Sequence, residues 1–335
     1  MDPNQEVHHL SRKFGIDVKR MKIVQNGVYR IVTAEGKEYC LKRMAYPPNR
    51  LRWIDNTLQQ MRKKGFIRIG WRNPNERSGK RLFVKWQRES PPFVLIPWLR
   101  GSWPSPQSAT QMRTCGTLLA QFHRAGKNIK IPKSGRQNMM GKWPSYLREE
   151  YNTLLRVIRK AKRNGFHSPL DRMLQTHGGE ILQMARASMR SLRNSDYKSI
   201  CRKTAATLCH GDCGPTNIIR TRKGMYLIDF ETLRLDLRTY DLYRLIFNSC
   251  KDHNWNFAIA QSILDGYQKV YKLNRSDYQL LKILLRFPRG MCKLVEHYDE
   301  KSPKDKLQIE RDFPKVLGHE RRRSAFLKKL DIYAG

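Results

Sequence analysis

The sequence predicts an α+β chain of two lobes, a small N-terminal antiparallel sheet (residues 1–97) and a larger, mostly helical C-terminal lobe (98–335). Three observations lead there. Short strand-like runs separated by glycine turns fill residues 21–44. Helical patterns dominate from residue 108 onward. Between helices lies the stretch 207–242, where a polar loop is set among short apolar runs.

In the first lobe, Met21-Lys22-Ile23-Val24, Val28-Tyr29-Arg30-Ile31-Val32 and Tyr39-Cys40-Leu41-Lys42-Arg43 read as three strands. They are joined by turns at Asn26-Gly27 and Glu35-Gly36. Residues 50–65 form a helix with Leu51, Ile54, Leu58 and Met61 on one face and Gly65 at its end. Two further strands are expected around Trp71 and at 81–86. The apolar run 93–101, ending in Pro97, Trp98 and Gly101, reads as an edge strand leading into a hinge between the lobes.

In the second lobe, 108–126 is a helix, and 127–206 is helical, polar and basic, densest at Arg159-Lys160-Ala161-Lys162-Arg163. Helices follow at 240–247, 255–271 and 276–286. The last fifteen residues form a basic amphipathic tail, either a solvated face or a docking surface for something acidic.

The stretch 207–242 carries the chemistry. His210, Asp212 and Asn217 stand in an H-x-D-x4-N loop, and Asp229 follows twelve residues later inside a strand, 226–230. Arg222-Lys223-Gly224 turns the chain between two short strands. Phosphoryl transfer needs a carboxylate to accept the proton of the attacking hydroxyl. It also needs oxygen ligands for the magnesium that neutralises the transferred phosphate. A polar hairpin whose Asp and Asn serve only turn hydrogen bonds is the plainer alternative, but it does not call for this ordered set.

The segment resembles the catalytic core of the aminoglycoside phosphotransferase and choline kinase superfamily, a branch of the protein-kinase-like fold. That resemblance implies ATP and Mg2+ as cofactors, Asp212 as catalytic base, and Asn217 and Asp229 as metal ligands. His210 would brace the loop, and Asp241 would tie it to the next helix. It also implies that Asn26 and Gly27 cover the nucleotide phosphates, that Lys42 contacts them, and that adenine meets backbone between Pro97 and Leu99. The chain departs from the protein-kinase pattern in one respect. No Glu occurs between Glu38 and Glu76, so Asp55 is the acid of the 50–65 helix that could turn toward Lys42.

Leu41-Lys42-Arg43, residues 59–66, 98–101 and 119–123, and Gly141-Lys142-Trp143-Pro144 precede the loop in that order. With the loop they are similar to the CotS family of bacterial spore coat proteins, over about residues 21–298. That resemblance implies a role in the spore coat or its assembly, with other coat proteins or acidic polymers as partners, inside a spore-forming bacterium.

Charge sets a separate constraint. Lys and Arg number 66 against 29 Asp and Glu, a formal +37, a field that favours anionic partners. The basic residues are spread through several helices without a nucleic-acid-binding motif. The same field disfavours a polycationic acceptor, although Glu296, Asp299, Glu300 and Asp305 cluster where an acceptor site is expected. Seven scattered cysteines, an odd count, suit a reducing compartment. Cys209, His210 and Cys213 lack a second Cys pair at zinc spacing. The first sixteen residues hold no apolar signal core, and no run reaches membrane-spanning length.

Overall fold

The computed structural model describes residues 3–127, 129–130 and 132–335. Its first lobe runs α1 (Pro3–Lys13), β1 (Val18–Gln25), β2 (Val28–Thr33), β3 (Glu38–Arg43), α2 (Pro48–Lys63), β4 (Val84–Lys85) and β5 (Pro92–Pro97). The five strands make one antiparallel sheet in the order β1-β2-β3-β5-β4.

Strand alternation decides what the sheet offers to each side. Tyr29 pairs with Leu41 and Leu41 with Leu95; these residues are buried in a core shared with Val7, Leu10 and Phe14 of α1. Val28, Lys42 and Val94, one residue over in the same registers, point to the other face. There they line a cleft against the second lobe. Helix α1 covers the outer face of the sheet through Val7, Leu10 and Phe14, spaced i, i+3 and i+7, a helical signal that the strand-based reading of the first lobe does not use.

Two expected strands are corrected. No strand forms around Trp71; Ile69 makes a single bridge to Leu227 instead. The run 81–86 pairs only at Val84 and Lys85, opposite Phe93 and Pro92. Pro91 and Pro92 have no N–H to extend the ladder. Because β4 nevertheless pairs there, β5 is an inner strand and not the edge.

The second lobe contains α3 (Ala109–Ala125), α4 (Trp143–Arg163), α5 (Pro169–Arg193) and α6 (Tyr197–Lys203), then β6 (Thr207–Cys209), β7 (Ile218–Thr221), β8 (Gly224–Leu227) and β9 (Arg234–Asp236). It closes with α7 (Thr239–Cys250), α8 (Phe257–Gln268), α9 (Arg275–Arg286), α10 (Arg289–Val295) and α11 (Pro303–Ala334). The small strands form two hairpin-like pairs, β6 with β9 and β7 with β8. The Asp229 strand expected over 226–230 ends at Leu227.

Helices α3 and α8 pack closely because each presents a glycine to the other's backbone. A Cβ on Gly116 would lie 2.0 Å from the Ile263 carbonyl oxygen, and one on Gly266 1.9 Å from that of Arg113. The C-terminal tail is not a free arm. It is the end of α11, and Phe326, Leu327 and Leu330 are buried in the main core. Arg323 is buried too, ion-paired with Glu320, while Arg321 reaches Glu180 on α5. All seven cysteines are free thiols. Among the described residues no helix is long and apolar enough to cross a membrane.

Candidate active site

The site is assembled on the loop after β6. Gly211 has φ +87°, and a Cβ there would sit 2.2 Å from the Thr232 carbonyl oxygen, so the turn requires glycine. The buried Asp241 carboxylate, in the first turn of α7, accepts the N–H groups of His210 at 2.6 Å and Gly211 at 2.8 Å. His123 of α3 supports the same carboxylate, its Nε2 3.0 Å away, and its Nδ1 meets the Tyr267 hydroxyl at 2.8 Å. Burial alone would raise the Asp241 pKa; the bond from His123 and the histidine and backbone N–H groups outweigh it and hold the carboxyl below its usual range. The tie that the sequence assigns to Asp241 is therefore built into the loop's backbone.

His210 works inward. Its Nε2 donates to the Ile228 carbonyl at 2.8 Å, Thr232 donates its hydroxyl to the His210 carbonyl, and the side chain is fully buried. It is a positioning residue for the loop and for the approach to Asp229.

Asp212 faces the solvent side of the loop. One of its oxygens is held by Arg244 of α7. Asn217 donates its amide to the Asp212 carbonyl at 2.7 Å and to the second carboxylate oxygen at 3.3 Å. Donation through nitrogen directs the Asn217 side-chain oxygen away from Asp212. Asp229 lies beyond β8 with φ +63°, a left-handed conformation that turns its carboxylate toward β3. Lys42 Nζ is 2.9 Å from Asp229 and 2.6 Å from Glu231. Burial pulls the lysine pKa down, but the two acids reverse this and leave it raised.

Lys42, Asn217, Asp229 and Glu231 line a cleft of about 590 Å³ between the lobes, whose apolar walls include Val28, Val94, Ile96 and Ile228. The β1–β2 turn reaches this cleft through Val24, Gln25 and Val28. Asn26 and Gly27 are not in the lining; Asn26 instead accepts from Arg43 at 3.1 Å. The oxygen set of Asn217 and Asp229 suits a hard divalent cation such as magnesium, with Lys42 already claiming one Asp229 oxygen.

Asp55 does not pair with Lys42. It is buried on α2, held by the Arg72 guanidinium and by Trp71 Nε1 at 2.9 Å. A guanidinium fork satisfies both carboxylate oxygens of a short side chain, and Lys42 takes its acids from across the cleft instead. Sequence reasoning missed four functional side chains. Glu231 had a signal, an acid two residues past Asp229. His123 ends an apolar helix face, and Arg244 lies three residues past Asp241. Arg50, buried at the start of α2, donates to the carbonyls of Glu231 at 3.2 Å, Gly135 at 3.3 Å and Leu233.

A family model described as phosphotransferase enzyme family matches residues 23–282, spanning both Lys42 and the His210 loop. The chain belongs to that family. Among curated relatives of this phosphotransferase-family chain, spore coat protein S of Bacillus subtilis (strain 168) is 23% identical over 301 residues, covering 87% of this chain and 83% of the relative. The CotS-type resemblance read from the sequence therefore holds. Homoserine kinase of Rhodopseudomonas palustris (strain BisA53) is 23% identical over 198 residues, and the chain spans about half of its length, 53%.

Solved structures share the kinase-like fold. An aminoglycoside phosphotransferase from Alicyclobacillus acidocaldarius superposes with TM-score 0.79 at 18% identity, covering 100% of this chain and 96% of that one. A spectinomycin phosphotransferase in complex with ADP and spectinomycin gives 0.66 at 16% identity, covering 95% and 98%. The small antiparallel sheet and the larger helical lobe read from the sequence are the arrangement these neighbours have.

Proposed function

We propose that this chain transfers the γ-phosphoryl group of ATP to a hydroxyl acceptor, with magnesium as the metal. One observation carries the reading. Asn217 and Asp229 line the interlobe cleft, Asp212 lines a second cavity on the far side of the loop, and the Asn217–Asp212 hydrogen bonds join the two. Donor and acceptor would thus meet at the pair of residues that the reaction needs to couple.

The nucleotide would lie in the cleft with its phosphates toward Lys42. At the hinge Pro97 has no N–H, and that of Trp98 is given to the Glu38 carbonyl at 3.0 Å; Leu99 is then the backbone donor for the adenine edge. Asn217 and Asp229 would hold magnesium, which when bound neutralises phosphate charge. Asp212 would accept the acceptor's hydroxyl proton while that oxygen bonds to the γ-phosphorus and ADP leaves with the electron pair of the broken P–O bond. His210, His123 and Asp241 fix where Asp212 stands.

The second reading is a spore-coat component that keeps this fold with little turnover, and the likeness to spore coat protein S supports a coat setting for either. The lysine lacks a partner on α2, which would have favoured the inert form, but Asp229 and Glu231 already clamp it. Thermal shift with ATP, with and without magnesium, tests the proposal. Stabilisation that requires magnesium is expected; none with either would refute it.

A further inference from the structure

The second cavity, about 750 Å³, is enclosed by the Asp212 loop, α7, α10 and α11. Its walls carry seven Lys and Arg side chains and four Asp and Glu. Three of the four acids are ion-paired, Asp212 with Arg244, Glu320 with Arg323 and Asp252 with Lys251 at 3.9 Å; Asp312 accepts from the neutral Gln308 amide at 3.0 Å and keeps its charge. Glu150, Asp236 and Glu296, which pair with three of the cations, do not line it. The cations therefore face the cavity and part of their balancing charge stands outside.

The layout is graded from the reacting end outward. Arg244, Asn248 and Lys251 fall at i, i+4 and i+7 along α7 and its C-cap, a stripe spanning about 10 Å at 1.5 Å per residue. Lys315 and His319, at i and i+4 on α11, line the same cavity. Lys315 has no ion pair among the described residues. The inner wall is positive as well: burial pushes the Tyr240 phenol up, yet Arg289, Arg234 and Arg244 together hold it below its ordinary value. The acidic run near this region does not offset the field. Glu296 is paired with Lys293, Asp299 with Lys160 and Glu300 with His297, while Asp305 caps α11 with Ser302. None of them lines the cavity.

We propose that the acceptor is a small hydroxyl compound carrying a carboxylate or phosphate, its hydroxyl at Asp212 and its anionic end between Lys251 and Lys315. This rests on the phosphotransferase reading and names its substrate class. The bonds are those already given: an acceptor O–P bond forms, the γ P–O bond of ATP breaks with its pair left on ADP, and the hydroxyl proton goes to Asp212. An anion long enough to reach from the loop to Lys315 satisfies both ends at once, whereas an ammonium there meets like charge.

The test uses the full chain and four six-carbon probes that differ only in their far end: 6-hydroxyhexanoate, 6-hydroxyhexyl phosphate, 1,6-hexanediol and 6-amino-1-hexanol. Magnesium-ATP binding and acceptor-independent ATP hydrolysis are measured alongside. The anionic probes should exceed the diol in kcat/KM by about tenfold or more, and the amine should fall below it. Comparing the two anions separates carboxylate from phosphate selection. Lys315→Glu should reverse the order, and Lys315→Arg should keep it. ATP turnover with the diol or amine preferred, or with none of the four phosphorylated, overturns this inference alone. Absence of both ATP binding and hydrolysis overturns the phosphotransferase reading with it.

Discussion

Asp241→Asn removes the charge at the centre of the loop's support without changing its shape. In the parent the carboxylate is fully buried and receives His210 N–H, Gly211 N–H and His123 Nε2. The amide can accept through one oxygen only and turns its NH2 toward donors. Disrupting a buried charged network of this kind costs about 3–5 kcal/mol. A chain of 335 residues has an unfolding entropy of about 0.7 kcal/mol/K, so the melting temperature should fall by about 4–7 °C. Calorimetry on parent and variant measures it.

The sign of the pH dependence follows from the depressed Asp241 pKa. Its stabilisation is present above the unfolded carboxyl value of about 3.8 and is lost as pH falls through the folded pKa. The difference between parent and variant should therefore be full at neutral pH and shrink below pH of about 4. A shift under about 1 °C at pH 7, or a difference that does not diminish in acid, would refute the charged brace.

Asp212→Asn should lower kcat by about 10²–10⁴-fold while nucleotide binding, followed by calorimetry, stays near the parent's; parental turnover would remove Asp212 as base. Asp229→Ala should abolish the magnesium dependence of ATP affinity, and retained dependence in a titration would reject the metal assignment. Asp55→Ala should leave Arg72 buried without its partner and cost about 3–5 kcal/mol in denaturant unfolding. ATP affinity measured on the folded fraction should be unchanged; a fall in affinity at unchanged stability would return Asp55 to the lysine.

The legible parts of this chain are those that local pattern controls. Short runs rich in β-branched, aromatic and apolar residues placed β1, β2 and β3, and the turn glycines separated them. The spacing of His210, Asp212, Asn217 and Asp229 was readable because one loop and one hairpin carry all four. What escaped depends on tertiary reach. Asp55 sits on α2, yet whether it meets Lys42 or Arg72 depends on how residues 66–83 fold back, and no period encodes that. Glu231, Arg244 and His123 act by meeting groups that are distant in sequence, between 32 and 189 residues away. The strand at 81–86 shortened because its partner begins with prolines, a property of the neighbour and not of the strand.

Arg50 sets the mechanics of the two lobes. Through it the start of α2 is bonded to the Glu231 and Leu233 carbonyls, and Leu51, Trp53, Ile54, Leu58 and Met61 share a core with Phe122, Leu208 and Phe230. The face of the sheet toward α1 has a separate core of its own, while Val94 of β5 joins the main core. A swing of the cleft would leave α2 behind with the His210–Asn217 loop, and the moving body would be the sheet capped by α1. The Lys42 contacts to Asp229 and Glu231 cross that boundary, and a bound nucleotide would rearrange them. Labels on α1 and α2 should then change their separation when nucleotide binds, while a pair on α2 and α3 should keep theirs.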